Sequence, residues 1–311
     1  MPEGDSVWRL SQRLQSLEGR TVESSQFRVP QLATASLDGG TITRVWPHGK
    51  HLFWQIDDAN SSRILHTHLR MEGTWRVHPV GTRWSLPAHT ARIVVRVSGD
   101  VELVGHDLGL VELWPTKDFE QHVGYLGPDL LAEDWHTPGR WLPTGRDEAV
   151  RRVTADPRSI GEALLDQRNL AGIGNEYRAE VCFLRGIHPA TPVTQTDVPT
   201  IVDLAAKLMR GNLTSPVRTF TGDHRKGQTT FVFGRKHQPC RRCGATIQAD
   251  TLGGATSATA PGAGQERMIW WCPTCQGEPV IGEEARFASR SSPTEKVREQ
   301  GQPPWRMSPS S

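Results

Sequence analysis

Four of the five cysteines fall in two Cys-x-x-Cys pairs, and this pattern limits what the C-terminal part of the chain can fold into. The four residues are Cys240, Cys243, Cys272 and Cys275. Each pair places two thiolates on one tight turn, and two such turns fill all four positions around a tetrahedral ion. Because no position is left for water, the pattern predicts one structural Zn²⁺ ion. The strand-like run 267–271 before the second pair predicts a β-hairpin finger.

Basic residues are concentrated next to this predicted finger. The whole chain of 311 residues has a formal net charge of only +2. Between residues 205 and 245, however, nine basic side chains stand against a single acidic one, Asp223, so the remainder of the chain is mildly acidic. A strongly basic segment beside a zinc finger indicates a polyanionic partner, although a solvated charged surface would give the same pattern.

The sequence shows no sign of export or of membrane insertion. Charged residues are spread over the first twenty positions, which therefore lack the apolar segment of a signal peptide. No window reaches 18 uncharged apolar residues. We therefore expect a cytoplasmic protein, associated with the nucleoid if it is bacterial, and no membrane partner.

The hydrophobic pattern predicts an α+β protein, with the strands concentrated in the first part of the chain. Apolar residues at helical spacing predict a helix over 3–18 that ends at Gly19. Five short strands are predicted next, over 41–46, 51–56, 63–69, 92–97 and 101–104. Strands without intervening helices favour an antiparallel sandwich or barrel.

The second part of the chain is predicted to be helical up to the finger. Four helices are expected, over 147–154, 159–166, 174–184 and 198–210. The low-complexity segment 251–264 is predicted to be a mobile loop, and the tail from 277 is predicted to be disordered.

The amino terminus carries a candidate nucleophile. Removal of Met1 would expose the secondary amine of Pro2, and an α-amino group with a pKa of about 8 is partly neutral at pH 7. Such an amine can attack C1′ of a nucleoside and displace the base, with Glu3 placed to exchange protons with the sugar. The same residues also suit an ordinary helix start with proline and acids in its first turn.

Several unrelated short motifs occur along the chain in an order that is typical of one family. They are Pro2-Glu3-Gly4, GKHL at 49–52, HLRMEG at 68–73, LGPDL at 126–130, LLDQRNLAGIGN at 164–175, GIHP at 186–189 and the four-cysteine finger. From residue 2 to about 276 the chain thereby resembles the formamidopyrimidine-DNA glycosylase / endonuclease VIII family of bifunctional DNA repair enzymes. The opening Pro-Glu-Gly is more similar to the endonuclease VIII branch.

The resemblance implies an N-terminal antiparallel β-sandwich with a leading helix, a C-terminal helix-two-turn-helix domain and a zinc β-hairpin finger. The expected boundaries are 1–125 for the catalytic β-sandwich domain, 126–145 for a linker, 146–234 for the helix-two-turn-helix domain, 235–276 for the finger and 277–311 for the tail. The implied activity is removal of oxidised bases, with pyrimidines favoured, followed by strand cleavage through β,δ-elimination. The implied partner is double-stranded DNA that contains damaged bases or abasic sites, bound by a monomer.

The resemblance also implies roles for single residues. Pro2 would form the Schiff base, Glu3 would open the sugar ring as a general acid, and Lys50 would serve β-elimination and bind a phosphate. Arg267, five residues before Cys272, would grip the lesion phosphates and assist δ-elimination. From spacing alone, Lys50 would more simply be a solvated residue at a strand edge.

Further residues match the family's DNA contacts. Asn175 would bind the phosphate beside the lesion, and Gly172 and Gly174 would let backbone N–H groups approach it. Arg70 and Met71 would fill the space left by a flipped nucleotide, with Met71 as an apolar wedge.

Two other residues of the helix after this turn admit structural interpretations. Glu180 matches an acid near the family's active site, and a buried structural pair explains it equally well. Cys182 is most simply a core residue.

The chain also departs from the family at the positions that read the damaged base. The formamidopyrimidine branch carries an arginine and a phenylalanine in a loop where this chain has His106-Asp107-Leu108-Gly109. Tyr125 replaces a basic residue before the Gly-Pro-Asp motif. These departures argue against recognition of oxidised guanine, so the damage preference of the family does not carry over unchanged.

Two alternatives remain open at this point. The chain could be a non-catalytic zinc module that recognises damaged DNA, although the presence of Pro2, Glu3 and Lys50 argues against it. The second alternative is a metalloenzyme in which His66 and His68, on one face of a strand, bind the metal, although no third ligand is apparent.

Overall fold

The computed structural model describes residues 2–253 and 267–278 and begins with an amphipathic helix. Helix α1 (Gly4–Leu14) buries Val7, Leu10 and Leu14 along one face and continues as a short 3₁₀ turn at Gln15–Leu17. The predicted helix over 3–18 is thus confirmed, with its last turn tightened. Gly19 follows in the left-handed region with φ +84°, where a side chain would be strained.

Two four-stranded antiparallel sheets follow α1. The strands are β1 (Val22–Phe27), β2 (Thr41–His48), β3 (His51–Asp57), β4 (Ser62–His68), β5 (Thr74–Pro79), β6 (Ala91–Val97), β7 (Val101–His106) and β8 (Leu110–Pro115). One sheet has the order β1-β6-β7-β5 and the other β2-β3-β4-β8. The main core contains apolar residues of both sheets, including Trp54 and Trp75, together with the buried face of α1. The α+β class and the antiparallel sandwich predicted from the sequence are confirmed.

Three of these strands, β1, β5 and β8, lie outside the five predicted segments. In β1 only the terminal residues Val22 and Phe27 are buried, and the four residues between them are polar. That segment lacks the period-two alternation on which a strand prediction depends, and cross-strand pairing with β6 holds it instead.

The outer face of the β2-β3-β4-β8 sheet is covered by the chain that leaves β8. Helix α2 (Phe119–Val123) contributes Phe119 and Val123, which pack with Phe53 and Trp114 against that face. The predicted linker 126–145 contributes buried residues of its own, among them Trp135, to the helical core. The segment is therefore packed at 126–131 and at Trp135, whereas residues 136–140 are exposed.

The helical part consists of α3 (Gly145–Thr154), α4 (Ile160–Leu165), α5 (Asn175–Arg185) and α6 (Val198–Gly211). All four helices were predicted within two residues at each end. Ser159 caps α4 in a capping box with Glu162, and Gly186 ends α5 in the left-handed region. The turn between α4 and α5 contains the GIGN motif.

The finger contains a two-stranded antiparallel hairpin, β9 (Gln248–Leu252) and β10 (Arg267–Trp271), followed by the short helix α7 (Pro273–Gln276). The hairpin prediction is confirmed, but Thr251 and Leu252 belong to β9, so the predicted mobile loop 251–264 begins two residues too early. Its remainder beyond residue 253, and the predicted tail beyond residue 278, lie outside the described residues. No helix of the described part is long and apolar enough to span a membrane.

Candidate active site

The carboxylate of Glu3 is buried at the N-terminus of α5. Its Oε2 accepts a hydrogen bond from the amide of Gly174 at 2.6 Å, and its Oε1 accepts one from the amide of Glu176 at 2.9 Å. Free N–H groups at a helix N-terminus attract anions, which explains why a carboxylate without solvent contact is accommodated here. The first residues of the sandwich are thereby bound to the turn that begins α5.

Close packing around glycines fixes this junction. A Cβ atom on Gly174 would lie 2.7 Å from Oε1 of Glu3, so only glycine fits beneath the carboxylate. The amide of Gly4 donates to the carbonyl of Gly172 at 3.0 Å, and the amide of Gly172 donates to Oε1 of Gln167. The amides of Gly172 and Gly174, predicted to face a DNA phosphate, are thus bonded within the protein in this structure.

Lys50 reaches the same turn from the opposite side. It lies in the tight β2–β3 turn, and its Nζ donates to the carbonyl of Ile173 at 2.7 Å. Gly49 beside it has φ +58° and donates its amide to Oδ2 of Asp129 at 2.8 Å. Lys50 is therefore half-buried and held in place, which contradicts the interpretation as a solvated strand-edge lysine.

The environment shifts the pKa values of both charged residues toward the neutral form. Burial raises the pKa of Glu3, although the charges of Arg218 and Lys50 oppose the change. Burial also lowers the pKa of Lys50 to about 8, with Glu3 opposing the shift and Arg267 adding to it. A carboxyl group with a raised pKa and an ammonium group with a lowered pKa exchange protons more readily near neutral pH, which suits acid and base work on one substrate.

Pro2 directly precedes the buried Glu3 and is itself half-buried. Glu3 and Lys50 thus both contact the turn before α5, and Pro2 is the chain neighbour of Glu3, although these residues come from three distant segments.

A buried ion-pair network supports the Glu3 site and was not predicted. Arg218 donates to both carboxylate oxygens of Asp5, at 2.9 and 2.5 Å, and to Glu176 at 2.7 Å. Asp5 is fully buried. Because Asp5 lies on α1 and Glu176 lies on α5, this network ties the two helices together. No pattern in the sequence pairs residues 213 positions apart, so only the structure identifies Asp5 and Arg218.

The hairpin is bound to α5 at Met268. The Met268 carbonyl accepts hydrogen bonds from Nδ2 of Asn175 at 3.0 Å and from Nη2 of Arg178 at 2.5 Å. Arg267, the first residue of β10, is exposed and lies close enough to Lys50 for its charge to lower the lysine pKa. The predicted DNA contacts Asn175 and Arg267 are thus neighbours on one side of the Lys50 turn.

Arg70 and Met71 project from the loop after β4. Met71 is 65% exposed, which is unusual for a methionine and agrees with a surface wedge. Arg70 has φ +51°, and a Cβ atom on Gly109 would lie 2.8 Å from the Cβ of Arg70, so the two loops pack directly on each other. His106, at the start of the 106–109 loop that contains Gly109, is buried and hydrogen-bonded to Thr90, so it does not face solvent.

The four cysteines of the finger converge. Their sulfur atoms all lie within 4.8 Å of one another, with 3.4 Å between Cys243 and Cys272 and 4.0 Å between Cys240 and Cys275. Tetrahedral Zn–S bonds of about 2.3 Å separate the sulfurs by about 3.8 Å, so the arrangement fits a four-thiolate ion. None of the four forms a disulfide.

Glu180 and Cys182 have structural surroundings. Glu180 is buried and accepts three backbone hydrogen bonds, from the amides of Phe231, Val232 and Phe233 at 2.8–2.9 Å. It holds the segment that leads to the finger, and burial raises its pKa to about 7. Of the two interpretations of Glu180, the buried structural one fits its surroundings, with three backbone amides as partners. Cys182 is a core residue, as predicted.

The histidines proposed as metal ligands have other partners. His66 lies between His51 and Glu112, and Nδ1 of His68 accepts from the amide of Arg70 at 2.9 Å. Among residues 2–253 and 267–278, the cysteines form the only cluster suited to a metal ion. The metalloenzyme alternative is not supported.

The basic segment is also less available than its sequence suggests. Arg218 is buried in the Asp5 network, Arg225 pairs with Asp223, and Arg235 donates to the carbonyls of Phe231 and Pro239. Arg241 donates to the carbonyls of Gly227 and Thr230. Four of the nine basic side chains of this segment are therefore engaged within the protein, two of them by carbonyl groups between α6 and the finger.

The fold and the site define a DNA glycosylase with an abasic-site lyase centre. Residues 1–109 match the family model for the formamidopyrimidine-DNA glycosylase N-terminal domain, and residues 143–218 match the model for its helix-two-turn-helix domain. The chain belongs to the family of formamidopyrimidine-DNA glycosylases and endonucleases 8.

Curated relatives and solved structures agree with this assignment. A "probable endonuclease 8 2" of Streptomyces coelicolor is 42% identical to this chain, and the match covers 90% of this chain and 95% of the relative. The "DNA-(apurinic or apyrimidinic site) lyase Nei2" of Mycolicibacterium smegmatis is 39% identical, and the match covers 89% of this chain and 99% of the relative. The Lactococcus lactis enzyme in complex with DNA containing an abasic site shares the fold, with a TM-score of 0.67, 24% identity and 89% and 100% covered.

Proposed function

We propose that the chain removes oxidised pyrimidines from double-stranded DNA and cleaves the resulting abasic site by β,δ-elimination. The observation that carries the proposal is the convergence of Glu3, Lys50 and the turn before α5 directly beside Pro2. The abasic-site lyase name of the mycobacterial relative and the abasic-site DNA bound by the Lactococcus lactis neighbour support it.

In the proposed mechanism the amine of Pro2, free after Met1 is removed, attacks C1′ of the damaged nucleotide. The bond from C1′ to the base breaks as the base leaves with that electron pair, the amine loses its proton, and C1′ is then bonded to both O4′ and the nitrogen of Pro2. The iminium that links the sugar to the protein forms when the C1′–O4′ bond breaks in the next step. Glu3, whose pKa is raised by burial, donates its proton to O4′ as the sugar ring opens. Its position is fixed by the amides of Gly174 and Glu176.

Lys50 is placed for the elimination that follows. With its pKa lowered to about 8, a fraction of the amine is neutral at physiological pH and can take the C2′ proton while the 3′ phosphate leaves. Arg267 on the exposed end of β10 would bind phosphate beside it and assist the second elimination. Asn175 would bind the neighbouring phosphate, which requires its side-chain amide to exchange Met268 for DNA.

Exposed Met71 and the adjacent Arg70 would enter the duplex where the damaged nucleotide is flipped out. In the 106–109 loop His106 is buried and Gly109 packs against Arg70. Apart from this buried histidine, the loop carries no arginine or aromatic residue that could contact a purine lesion. Together with the Pro-Glu-Gly start, this loop favours oxidised pyrimidines over oxidised guanine.

We propose Zn²⁺ as the ion held by Cys240, Cys243, Cys272 and Cys275. The ion would supply no chemistry to the reaction, because four thiolates leave no open position. Its function would be to hold β10 so that Met268 and Arg267 stay against α5 and the Lys50 turn.

Borohydride trapping on DNA with a defined lesion tests the proposal. Intact-mass measurement first establishes that Met1 has been removed. The protein is then incubated with duplexes that carry thymine glycol, dihydrouracil, 5-hydroxyuracil, 8-oxoguanine or an abasic site. We expect a covalent adduct with the abasic duplex and with the pyrimidine lesions, and much less with 8-oxoguanine.

Two outcomes would contradict the proposal. No adduct with wild-type protein that lacks Met1 would remove the lyase function and favour the non-catalytic module. Equal adduct formation with all lesions would remove the pyrimidine preference alone. Binding should also weaken steeply with salt, since phosphate contacts dominate such affinities.

A further inference from the structure

The LGPDL motif at 126–130 has no part in the mechanism of the preceding section, yet its aspartate is almost fully buried. Asp129 is 5% exposed and uses both oxygens of its carboxyl group. Its Oδ2 accepts a hydrogen bond from the amide of Gly49 at 2.8 Å, and its Oδ1 accepts one from the amide of Leu131 at 2.9 Å. One side chain thus joins the β2–β3 turn, which carries Lys50, to the segment that leads into the helical part.

The same segment is bound to the turn before α5. The amide of Ala171 donates to the carbonyl of Pro128 at 2.7 Å, and the amide of Leu130 donates to the carbonyl of Ala171 at 3.3 Å. Asp129 and Ala171 therefore pair as an isolated parallel β-bridge. Because Asp129 lies within this bridge, its carboxyl group is fixed relative to the turn that contains Ile173.

The β2–β3 turn packs directly on this bridge. Gly49 has φ +58°, and a Cβ atom there would lie 2.7 Å from the Cβ of Ala171 and 2.9 Å from the amide nitrogen of Gly172. One residue earlier, Nε2 of His48 is hydrogen-bonded to the carbonyl of Gly127 at 2.8 Å. Contacts through consecutive residues therefore hold the turn against both segments.

Lys50 follows Gly49 directly, so the contact between Gly49 and Asp129 determines where the lysine side chain begins. Its Nζ donates to the carbonyl of Ile173 at 2.7 Å. A lysine side chain is a flexible four-carbon stem, and its ammonium group is placed accurately only if the backbone that carries it is also fixed.

We propose that Asp129 positions Lys50 for β-elimination by holding the amide of Gly49 against the turn before α5. The inference rests on the role proposed for Lys50. Asp129 acts through Gly49 and Lys50, so it is a positioning residue. Pro2 and Glu3 should be affected little, because Glu3 is held by the amides of Gly174 and Glu176.

Two substitutions in the full-length protein test this role. Asp129→Asn keeps the size of the side chain, but asparagine has one acceptor oxygen and an amino group that only donates, so it cannot accept from both amides. Asp129→Ala removes both acceptors. Asp134→Asn is the matched control, since Asp134 lies in the same linker and accepts a backbone amide from Arg140 at 2.9 Å. Single-turnover cleavage of an abasic duplex is measured against pH, with borohydride trapping in parallel.

We expect Asp129→Asn to be trapped as well as wild type and to have a rate profile with a higher midpoint. Burial lowers the pKa of Lys50 to about 8, and a lysine that gains contact with water moves back toward its ordinary pKa of about 10.4. A midpoint higher by about one pH unit means about tenfold less neutral amine at pH 7, and cleavage should slow by that factor. Asp129→Ala should be slower still, and Asp134→Asn should match wild type.

The direction of the shift separates position from charge. Removal of a negative charge near Lys50 would by itself lower the lysine pKa, so an upward shift reports the loosened turn. Other charged or titratable groups lie near this pair and are unchanged in the Asp129 variants. They are Glu3 before α1, His51 on β3, His68 on β4, Arg210 on α6 beside Asp129, and Arg267 on β10.

A double substitution shows whether Asp129 acts through Lys50. Asp129→Asn is combined with Lys50→Gln, and elimination should then be little slower than in Lys50→Gln alone, because the effects of two coupled residues are not additive. A purely structural role would slow the double variant further and would reduce trapping and cleavage alike. Circular dichroism establishes that each variant is folded.

Three results would overturn the positioning role: a wild-type rate and midpoint in Asp129→Asn and Asp129→Ala, a downward shift of the midpoint, or full additivity with Lys50→Gln. A wild-type rate and pH profile in Lys50→Gln itself would instead overturn the role of Lys50 on which the inference depends.

Discussion

Oε2 of Glu3 lies 2.6 Å from the amide nitrogen of Gly174, although 171 positions separate the two residues in the chain. This contact joins the amino terminus of the sandwich to the first turn of α5. It gives Gly174 a function that the motif alone does not reveal, since the space above its Cα is filled by the Glu3 carboxyl group. The position of Glu3, the proposed general acid, therefore depends on a residue of the helical part of the chain.

Gly174→Ala should displace Glu3 and reduce base excision by about 100-fold, because a shift of about 1 Å at a catalytic group has an effect of this size. Gly174 does not have a positive φ, so the expected cause is the contact with Glu3 and not backbone strain. Single-turnover excision from a thymine-glycol duplex measures the effect.

Gly211→Ala is the matched control for this substitution. Gly211 ends α6, and a Cβ atom there would meet nothing within 4 Å. Its activity should equal that of wild type, with unchanged or slightly higher stability. If the excision rate of Gly174→Ala were within threefold of that of the control, the contact between Glu3 and residue 174 would not be needed for excision.

The rate of β-elimination should rise with pH through about 8, which is the pKa of Lys50. The neutral amine accepts the proton, and its fraction grows as pH increases through the pKa. Lys50→Gln should be slow and should lack this rise, whereas exposed Lys117→Gln should keep the wild-type profile.

Borohydride trapping at each pH reports the amine of Pro2 separately from Lys50. Arg267→Gln should move the midpoint of the rate profile upward, because the charge of Arg267 lowers the Lys50 pKa. An unchanged rise in Lys50→Gln, at constant trapping, would assign the base to another residue.

The sequence predicted those parts of the site that depend on local pattern. The finger cysteines and the helices α3 to α6 follow from the spacing of cysteines and of apolar residues within short segments. The roles of Pro2, Glu3 and Lys50 follow from the ordered set of motifs and not from any one segment, and they stay predictions.

The remaining features depend on contacts between distant segments. Nothing in the sequence near Asp5 points to its partner, and Arg218 is one of nine basic residues between 205 and 245. A sequence shows how many charges a segment carries but not which of them are neutralised by buried partners. Likewise, β1 was missed because its pairing with β6, and not its own polarity pattern, makes it a strand.

Loss of the metal should weaken DNA binding through the hairpin. Mass spectrometry under native conditions should find one Zn²⁺ per wild-type chain and none in Cys272→Ser, whereas Cys182→Ala in the helical core should retain it. Because β10 presents Met268 to Asn175 and Arg178, loosening the finger should reduce affinity for an abasic-site analogue about tenfold. Full metal content in Cys272→Ser would show that this cysteine is not a ligand.

Asp5→Asn should destabilise the protein strongly, by about 3 kcal/mol. The substitution removes the charge that compensates Arg218, whose side chain is only 10% exposed, and a buried charge without its partner costs about 3–5 kcal/mol. Glu176 remains bonded to Arg218, which places the expected value at the lower end of that range. Urea unfolding followed by tryptophan fluorescence measures the difference.

Asp223→Asn is the control for the Asp5 substitution. Its partner Arg225 is 82% exposed, so solvent screens the pair and the free energy of unfolding should change little. Equal stability of the two variants would mean that the Asp5–Arg218 pair contributes no more than a surface ion pair. A large loss of stability in Asp5→Asn should be accompanied by lower excision activity, even under conditions in which the variant remains folded. The reason is that Arg218 connects Asp5 to Glu176, and the amide of Glu176 holds Glu3.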